Sequence, residues 1–390
     1  MENGFEVRFM KHPLVAVRSV KSAVVGSILL MIPYLLLLPG REILGPLPAV
    51  YAVMLTIYLL PVALCMVTMI CGVLPMLIGL ITALSTITTL MGTTGLLLCA
   101  LYALPVVGAF LVLVQMQLPF KKSCPIMIGV HVAALALVFA VCQQMTKGDL
   151  YNQAGIAVAD FLKTWDVGDL LLYEFYSVGL IDLRESLRDN AVQSGLYTFS
   201  LSDAAREDML LSVKTMITGQ LQLLIPNLIA TQSIQGGVAC LLLPLRFGYL
   251  AEEKRAFLRE EPMGELGEKQ KVDFPTLDMP PFQTWHIPRG IGWQVGVALI
   301  GGYLLRYSRT SALKIAGIML YGAASSVFMI QGAAFINFIQ KRRGSRRFWR
   351  VLVPLLLMTT PFLTFIGIFD QMNNARGLRK PPEPKEDTFL

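Results

Sequence analysis

The sequence predicts an all-α fold, a polytopic integral membrane protein of eight to nine transmembrane helices with one acidic extracytoplasmic helical segment. Three observations carry this. Residues Ile43 to Phe120 form a run of 78 without Asp, Glu, Lys, Arg or His. A helix rises about 1.5 Å per residue and hydrocarbon is about 30 Å thick, so about 20 residues cross once. The run therefore holds three crossings with short turns between them. Composition agrees: 55% of the chain is hydrophobic, 15% is charged and mean hydropathy is +0.61. That combination excludes an ordinary globular domain and a disordered chain. Charge is also segregated, because residues 145–214 hold six Lys/Arg against eleven Asp/Glu, while basic residues elsewhere gather at the ends of apolar segments. Cytoplasmic loops of membrane proteins collect Lys and Arg in this way, which accounts for the net charge of +7 without nucleic acid as a partner.

Arg8, Lys11, Arg18 and Lys21 precede the first apolar segment, Ser22 to Leu38, and place the N-terminus in the cytoplasm. No small-residue cleavage site follows that segment, so it reads as a span rather than a signal peptide. After the Pro39-Gly-Arg-Glu42 turn, the uncharged run divides near Cys71-Gly72 and Met91-Gly92, giving helices at roughly 47–70, 73–90 and 95–118. Lys121-Lys122 marks a cytoplasmic return, and Ile126 to Gln143 completes a five-helix N-terminal membrane block, residues 1–144. The acidic segment 145–214 follows outside. Within it, Leu170 to Tyr176 predicts an amphipathic helix lying on the membrane surface. Ser200-Leu-Ser-Asp203 carries helix-start chemistry leading to a sixth span, Thr215 to Leu243, in a region 215–247 that Pro226 kinks. Residues 248–289 form a cytoplasmic loop closing in a Pro-rich linker, Phe274 to Phe282. The C-terminal block, 290–370, takes spans at Trp285 to Leu305, Ile315 to Ile339 and Val351 to Phe369, with Trp285 and Trp293 as interface anchors. The basic run Lys341 to Arg347 is cytoplasmic, and 371–390 is a polar tail. Nine crossings would leave Arg306, Arg309 and Lys314 outside, against the positive-inside rule, so the count is eight or nine.

The six cysteines, Cys65, Cys71, Cys99, Cys124, Cys142 and Cys240, lie in or beside apolar segments with no CxxC pair, which predicts buried thiols. No P-loop, GxSxG, HExxH or paired metal-ligand spacing occurs. The first six spans also have no mid-membrane Asp, Glu, Lys or Arg, which disfavours a proton relay. The sequence therefore predicts a non-enzyme with no catalytic residues, no cofactor and no metal. Two polar stripes remain. Thr82, Ser85, Thr86, Thr89 and Thr93 share one face in and just after the third span, and Gln220, Asn227, Thr231 and Gln235 share one face of the sixth if its helix stays regular past Pro226. A threonine hydroxyl can return to its own backbone, which favours packing for the first stripe. Gln and Asn carry more donors and acceptors than a helix can absorb, so the second serves interhelical hydrogen bonding or lines a substrate cavity. Gln331 and Asn337 lie among small residues of the eighth span, where close packing is expected. The candidate cavity-lining set is thus Gln220, Asn227, Thr231, Gln235, Thr86, Thr89, Gln331 and Asn337. His131 is either bonded to a neighbour or a ligand or proton carrier, and Gly292/Gly296 make one GxxxG.

Ile287-Pro288 before the seventh span, the Gly- and Asn-containing eighth span with its basic end, and Gly367-Ile-Phe-Asp370 followed by Arg376 resemble the YybS-like family. That is a group of bacterial multi-spanning proteins of unknown function. The closely spaced N-terminal helices are also similar to the substrate-binding components of energy-coupling-factor transporters. The resemblance implies no catalytic residues. It pairs Asp370 with Arg376, read as a helix-end anchor at the membrane surface. Two functions are expected. One is small-molecule binding or transport, the ligand unknown and the energy supplied by a partner. The alternative is a scaffold or regulator of cell-envelope processes acting through loop 248–284 and the 341–350 cluster. Both place the chain in the cell membrane, with the lipid bilayer and a membrane or cytoplasmic protein as partners.

Overall fold

The computed structural model describes residues 20–36, 47–165, 167–188, 192–194, 199–258, 277–344 and 361–378. The N-terminal cations before Lys21, the Pro39–Glu42 turn, residues 259–276 of the loop, the 345–360 part of the basic run and ninth span, and the tail from 379 lie outside the described residues. The chain is an all-α membrane protein. Val73–Gln115, Phe120–Met145, Asp203–Glu253 and Ser311–Arg342 are long and apolar enough to cross a bilayer, and Val24–Leu35, Leu60–Cys71 and Gly290–Leu305 are shorter apolar helices. Two compact units divide the chain. Met1–Met116, Gly129–Ile225 and Ala239–Pro275 form the first; Gln117–Ile128, Pro226–Val238 and Thr276–Leu390 form the second.

The first unit begins with α1 (Val20–Leu35), α2 (Leu47–Tyr58), α3 (Leu60–Cys71) and α4 (Val73–Gln115). Residues 47–70, expected as one helix, are two. The cause is Pro61, at the start of α3, which has no N–H to give the carbonyl of Ile57 four residues earlier. That carbonyl accepts the Tyr102 hydroxyl of α4 at 3.0 Å instead, so the oxygen that Pro61 leaves over has a partner. Gly72 (φ 108°) separates α3 from α4, and Gly92 (φ 69°, ψ −164°) breaks α4, both in backbone that only glycine adopts readily. Helix α1 packs on α3 and α4 at glycines. A Cβ on Gly26 would lie 2.8 Å from Cys71 Sγ, and one on Gly79 would lie 2.7 Å from Leu30 Cβ.

After α5 (Phe120–Met145) come α6 (Leu150–Thr164), α7 (Gly168–Ser177), α8 (Glu185–Arg188), β1 (Val192–Ser194), β2 (Phe199–Leu201) and α9 (Asp203–Leu258). The antiparallel hairpin pairs Val192 with Leu201 and Ser194 with Phe199, an element that the sequence reading does not contain. Leu162, Leu172, Ile181, Leu183, Leu201, Met209 and Val213 form one buried cluster, with Tyr173, Phe175 and Tyr176 packed against it. The apolar face of α7 is therefore covered by protein, where the sequence predicts a membrane surface. Arg206 pairs with Asp169 at 2.5 Å over this core, and Asp169 also accepts the Leu201 N–H at 3.0 Å. The guanidinium first, then that N–H, hold the Asp169 carboxyl below its ordinary value against the opposing effect of burial. Helix α9 continues to Leu258, well past the predicted end at Leu243.

The second unit contains a 3₁₀ turn (Phe282–Thr284), α10 (Arg289–Leu305), α11 (Ser311–Arg342) and α12 (Phe362–Asn373). Helix α10 starts later than the predicted Trp285, because Ile287 precedes Pro288 and is confined to extended backbone. Pro288 itself is extended (φ −54°, ψ 146°) and caps the helix.

Candidate functional site

Two glycines let α11 and α12 approach backbone to backbone. A Cβ on Gly332 would lie 3.1 Å from the Gly367 nitrogen, and one on Gly367 would lie 2.8 Å from the Phe328 carbonyl carbon. The contact sets Gln331 of α11 opposite the end of α12. Gln331 Nε2 donates to Asp370 Oδ2 at 2.8 Å and to Gln371 Oε1 at 3.1 Å, while its Oε1 accepts the Ile287 N–H at 3.3 Å. Asn374 then turns left-handed (φ 46°, ψ 43°) and returns Arg376 to the same place.

Arg376 Nη2 pairs with Asp370 Oδ2 at 2.7 Å, the two side chains being 1% and 4% exposed. The remaining donors are used too. Arg376 Nε reaches Asp370 at 3.2 Å, Nη1 donates to the Gln283 carbonyl at 2.7 Å and Nη2 to the Trp285 carbonyl at 2.6 Å. The planar fork thus joins one carboxylate to two backbone oxygens of the segment before α10. Trp285 is fixed in turn. Its indole donates to the Pro280 carbonyl at 3.0 Å, and its ring lies 4.8 Å from that of Phe120 and 5.1 Å from that of Phe282. The Gln371 side chain lies against Gly292 of α10, so half of the GxxxG pair is a contact point, while a Cβ on Gly296 would meet open space. The predicted surface anchor is therefore a buried lock. Buried charges of opposite sign persist only when paired and hydrogen-bonded, and both conditions hold here.

Of the candidate cavity-lining residues, only Gln331 belongs to this network. Asn227 and Thr231 of α9 pack against Gly322 of α11, and Gln235 donates to Ser326 Oγ at 3.2 Å and Met329 Sδ at 3.6 Å. Thr231 also returns its hydroxyl to the Asn227 carbonyl at 2.8 Å. Asn337 is half-buried on α11. In the first unit, Gln220 is exposed on α9 and Thr86 is buried on α4. Thr89 is exposed and bonds the Ser85 carbonyl at 3.0 Å, as Thr82 bonds the Ile78 carbonyl at 2.9 Å. His131 is fully buried, its Nε2 3.7 Å from Cys240 Sγ and its ring edge-on to Tyr102. Sequence reasoning missed the burial of Asp370 and Arg376. A signal was present, since no Asp or Glu occurs between Asp278 and Asp370. An acid ending so long an acid-free tract beside a nearby Arg points to a paired charge.

The comparison with family models bears on this same region. Residues 269–371 match the family described as "Predicted membrane protein (DUF2232)". The matched stretch covers α10, α11 and all but the end of α12, including Gln331, Asp370 and Gln371. No curated protein and no solved structure matches the chain.

Proposed function

We propose that this chain is a non-enzymatic membrane scaffold or regulator, of the YybS-like kind, with its N-terminus in the cytoplasm. The observation that carries the reading is the use made of its buried polar groups. Asp370, Arg376, Gln331 and Gln371 are spent on holding the segment Gln283–Ile287 against α11 and α12, and Gln235 is spent on the α9–α11 contact. A carrier needs polar groups that exchange partners between substrate and water, whereas a platform needs groups that are fully satisfied and rigid. This arrangement suits the platform. Its outward faces at the loop ends would engage the partner, a membrane or cytoplasmic protein.

Photo-crosslinkers at exposed His286, Lys341 and Arg343 test this in cells. One recurring protein partner is expected from these positions, and it should survive simultaneous Gln220→Leu, Asn227→Leu and Gln235→Leu. Loss of complementation by the triple variant, inserted normally and with no protein crosslinked, would overturn the proposal. That outcome favours the second reading, small-molecule binding or transport with energy from a partner. One observation supports this alternative: Gln220 leaves an amide exposed within the stretch of α9 that the sequence reads as a span.

A further inference from the structure

The turn between α10 and α11 contains a cation without an acid. Gly302 and Gly317 bring the two helices together there, since a Cβ on Gly317 would lie 2.6 Å from Leu305 Cβ and one on Gly302 would lie 2.5 Å from the Tyr321 nitrogen. The approach assembles three tyrosines around Arg306. Its guanidinium carbon lies 5.8 Å from the Tyr303 ring centroid, 5.6 Å from Tyr307 and 5.9 Å from Tyr321, all within cation–π range. The Tyr307 hydroxyl donates to that of Tyr303 at 3.3 Å, which fixes two walls of the cage. Arg309 and Lys314 flank it. Among the described residues none of these three cations has a carboxylate partner, and the nearest acids in the chain are Asp278 and Asp370. The rings surround Arg306, which stays exposed.

Below the cage, Trp293, Val297, Ile300 and Leu304 recur at helical spacing on one face of α10, each more than half exposed (76%, 51%, 64% and 64%). An outward apolar stripe running from a tyrosine-held cation matches the anatomy of one ligand class. We propose that Arg306, Arg309 and Lys314 bind the phosphodiester headgroup of an anionic phospholipid, with its acyl chain along Val297, Ile300 and Leu304. Tyrosine rings at headgroup depth are where a helix end meets the interface. The stripe favours a lipid over free phosphate, which has no use for it. The proposal also accounts for a basic turn at this end of the hairpin whichever leaflet it occupies.

Native mass spectrometry of the detergent-solubilised full chain, titrated with dioleoyl phosphatidylglycerol or dioleoyl phosphatidylcholine, tests it. Phosphatidylglycerol should bind in preference to phosphatidylcholine. Arg306→Gln, Arg309→Gln and Lys314→Gln should each weaken it by about fivefold, leaving phosphatidylcholine unchanged. Arg306→Lys, which keeps the charge and loses the flat stacking ion, should fall between. Arg309→Gln and Lys314→Gln lie outside the tyrosine cage and keep the test valid if Arg306→Gln does not fold. Equal binding of the two lipids, a loss seen only with Arg342→Gln at the opposite end of α11, or displacement of the lipid by millimolar inorganic phosphate would each overturn the proposal.

Discussion

Gln235 donates its side-chain amide to the Ser326 hydroxyl at 3.2 Å, joining α9 to α11 within the second unit. Such bonds between membrane helices average about 0.6 kcal/mol, because the separated helices also find partners. A double-mutant cycle of Gln235→Leu and Ser326→Ala should therefore return a coupling of about that size in a detergent unfolding assay.

The Asp370–Arg376 pair carries a much larger expected effect. Asp370→Asn or Arg376→Gln leaves one buried charge uncompensated, and each should destabilise the chain by about 3–5 kcal/mol. Replacing both at once, Asp370→Leu with Arg376→Met, should recover much of that loss, since no ion then remains unpaired. The order of melting temperatures among wild type, singles and double checks this.

Close approach of α11 and α12 predicts a contrast between two glycines. A methyl at Gly367 meets the Phe328 carbonyl, whereas one at Gly296 meets open space. Gly367→Ala should cost about 1–3 kcal/mol through overpacking, while Gly296→Ala should leave the melting temperature nearly unchanged.

Acid should loosen the packed segment around α7. The Asp169 carboxyl sits below its ordinary value in the folded state because of Arg206, so it binds fewer protons there than when unfolded. The stability that this pair contributes is present above the ordinary Asp value near 3.9 and is lost as pH falls through the lower folded value. Water reaches Arg206, so the contribution is no more than about 1 kcal/mol. Hydrogen exchange of the α6–α7 amides at pH 7 and pH 3 should show the change, and Asp169→Asn should flatten it.

The all-α membrane fold was legible because lipid forces every backbone bond inside a helix, and a charge-free tract such as Ile43 to Phe120 can satisfy that only as packed spans. Glycine and proline marked backbone changes as well. Gly72 and Gly92 adopt positive φ where the sequence divides the run, and Pro61 adds a break that hydropathy alone cannot report. The candidate site was less legible. Arg376 reaches Gln283, 93 residues away along the chain, and no local periodicity encodes such a contact. The β1–β2 hairpin was lost for another reason, since three-residue strands are too short for alternation to register. The polar stripe on α9 was visible in the sequence as a spacing, but what Gln235 touches depends on α11, and no pattern within α9 reports that.

Order of synthesis gives the Arg376 lock one more meaning. The carbonyls of Gln283 and Trp285 leave the ribosome long before the arginine that holds them, being 93 and 91 positions earlier in the chain. Until translation passes that point, Asp370 is an unneutralised carboxylate at the end of its helix, and insertion can be complete while the hairpin is still open. A chain stopped anywhere from 373 to 375 would keep α10, α11 and α12 in full and lack their clasp. It would offer membrane quality-control proteases a recognisable unfinished product.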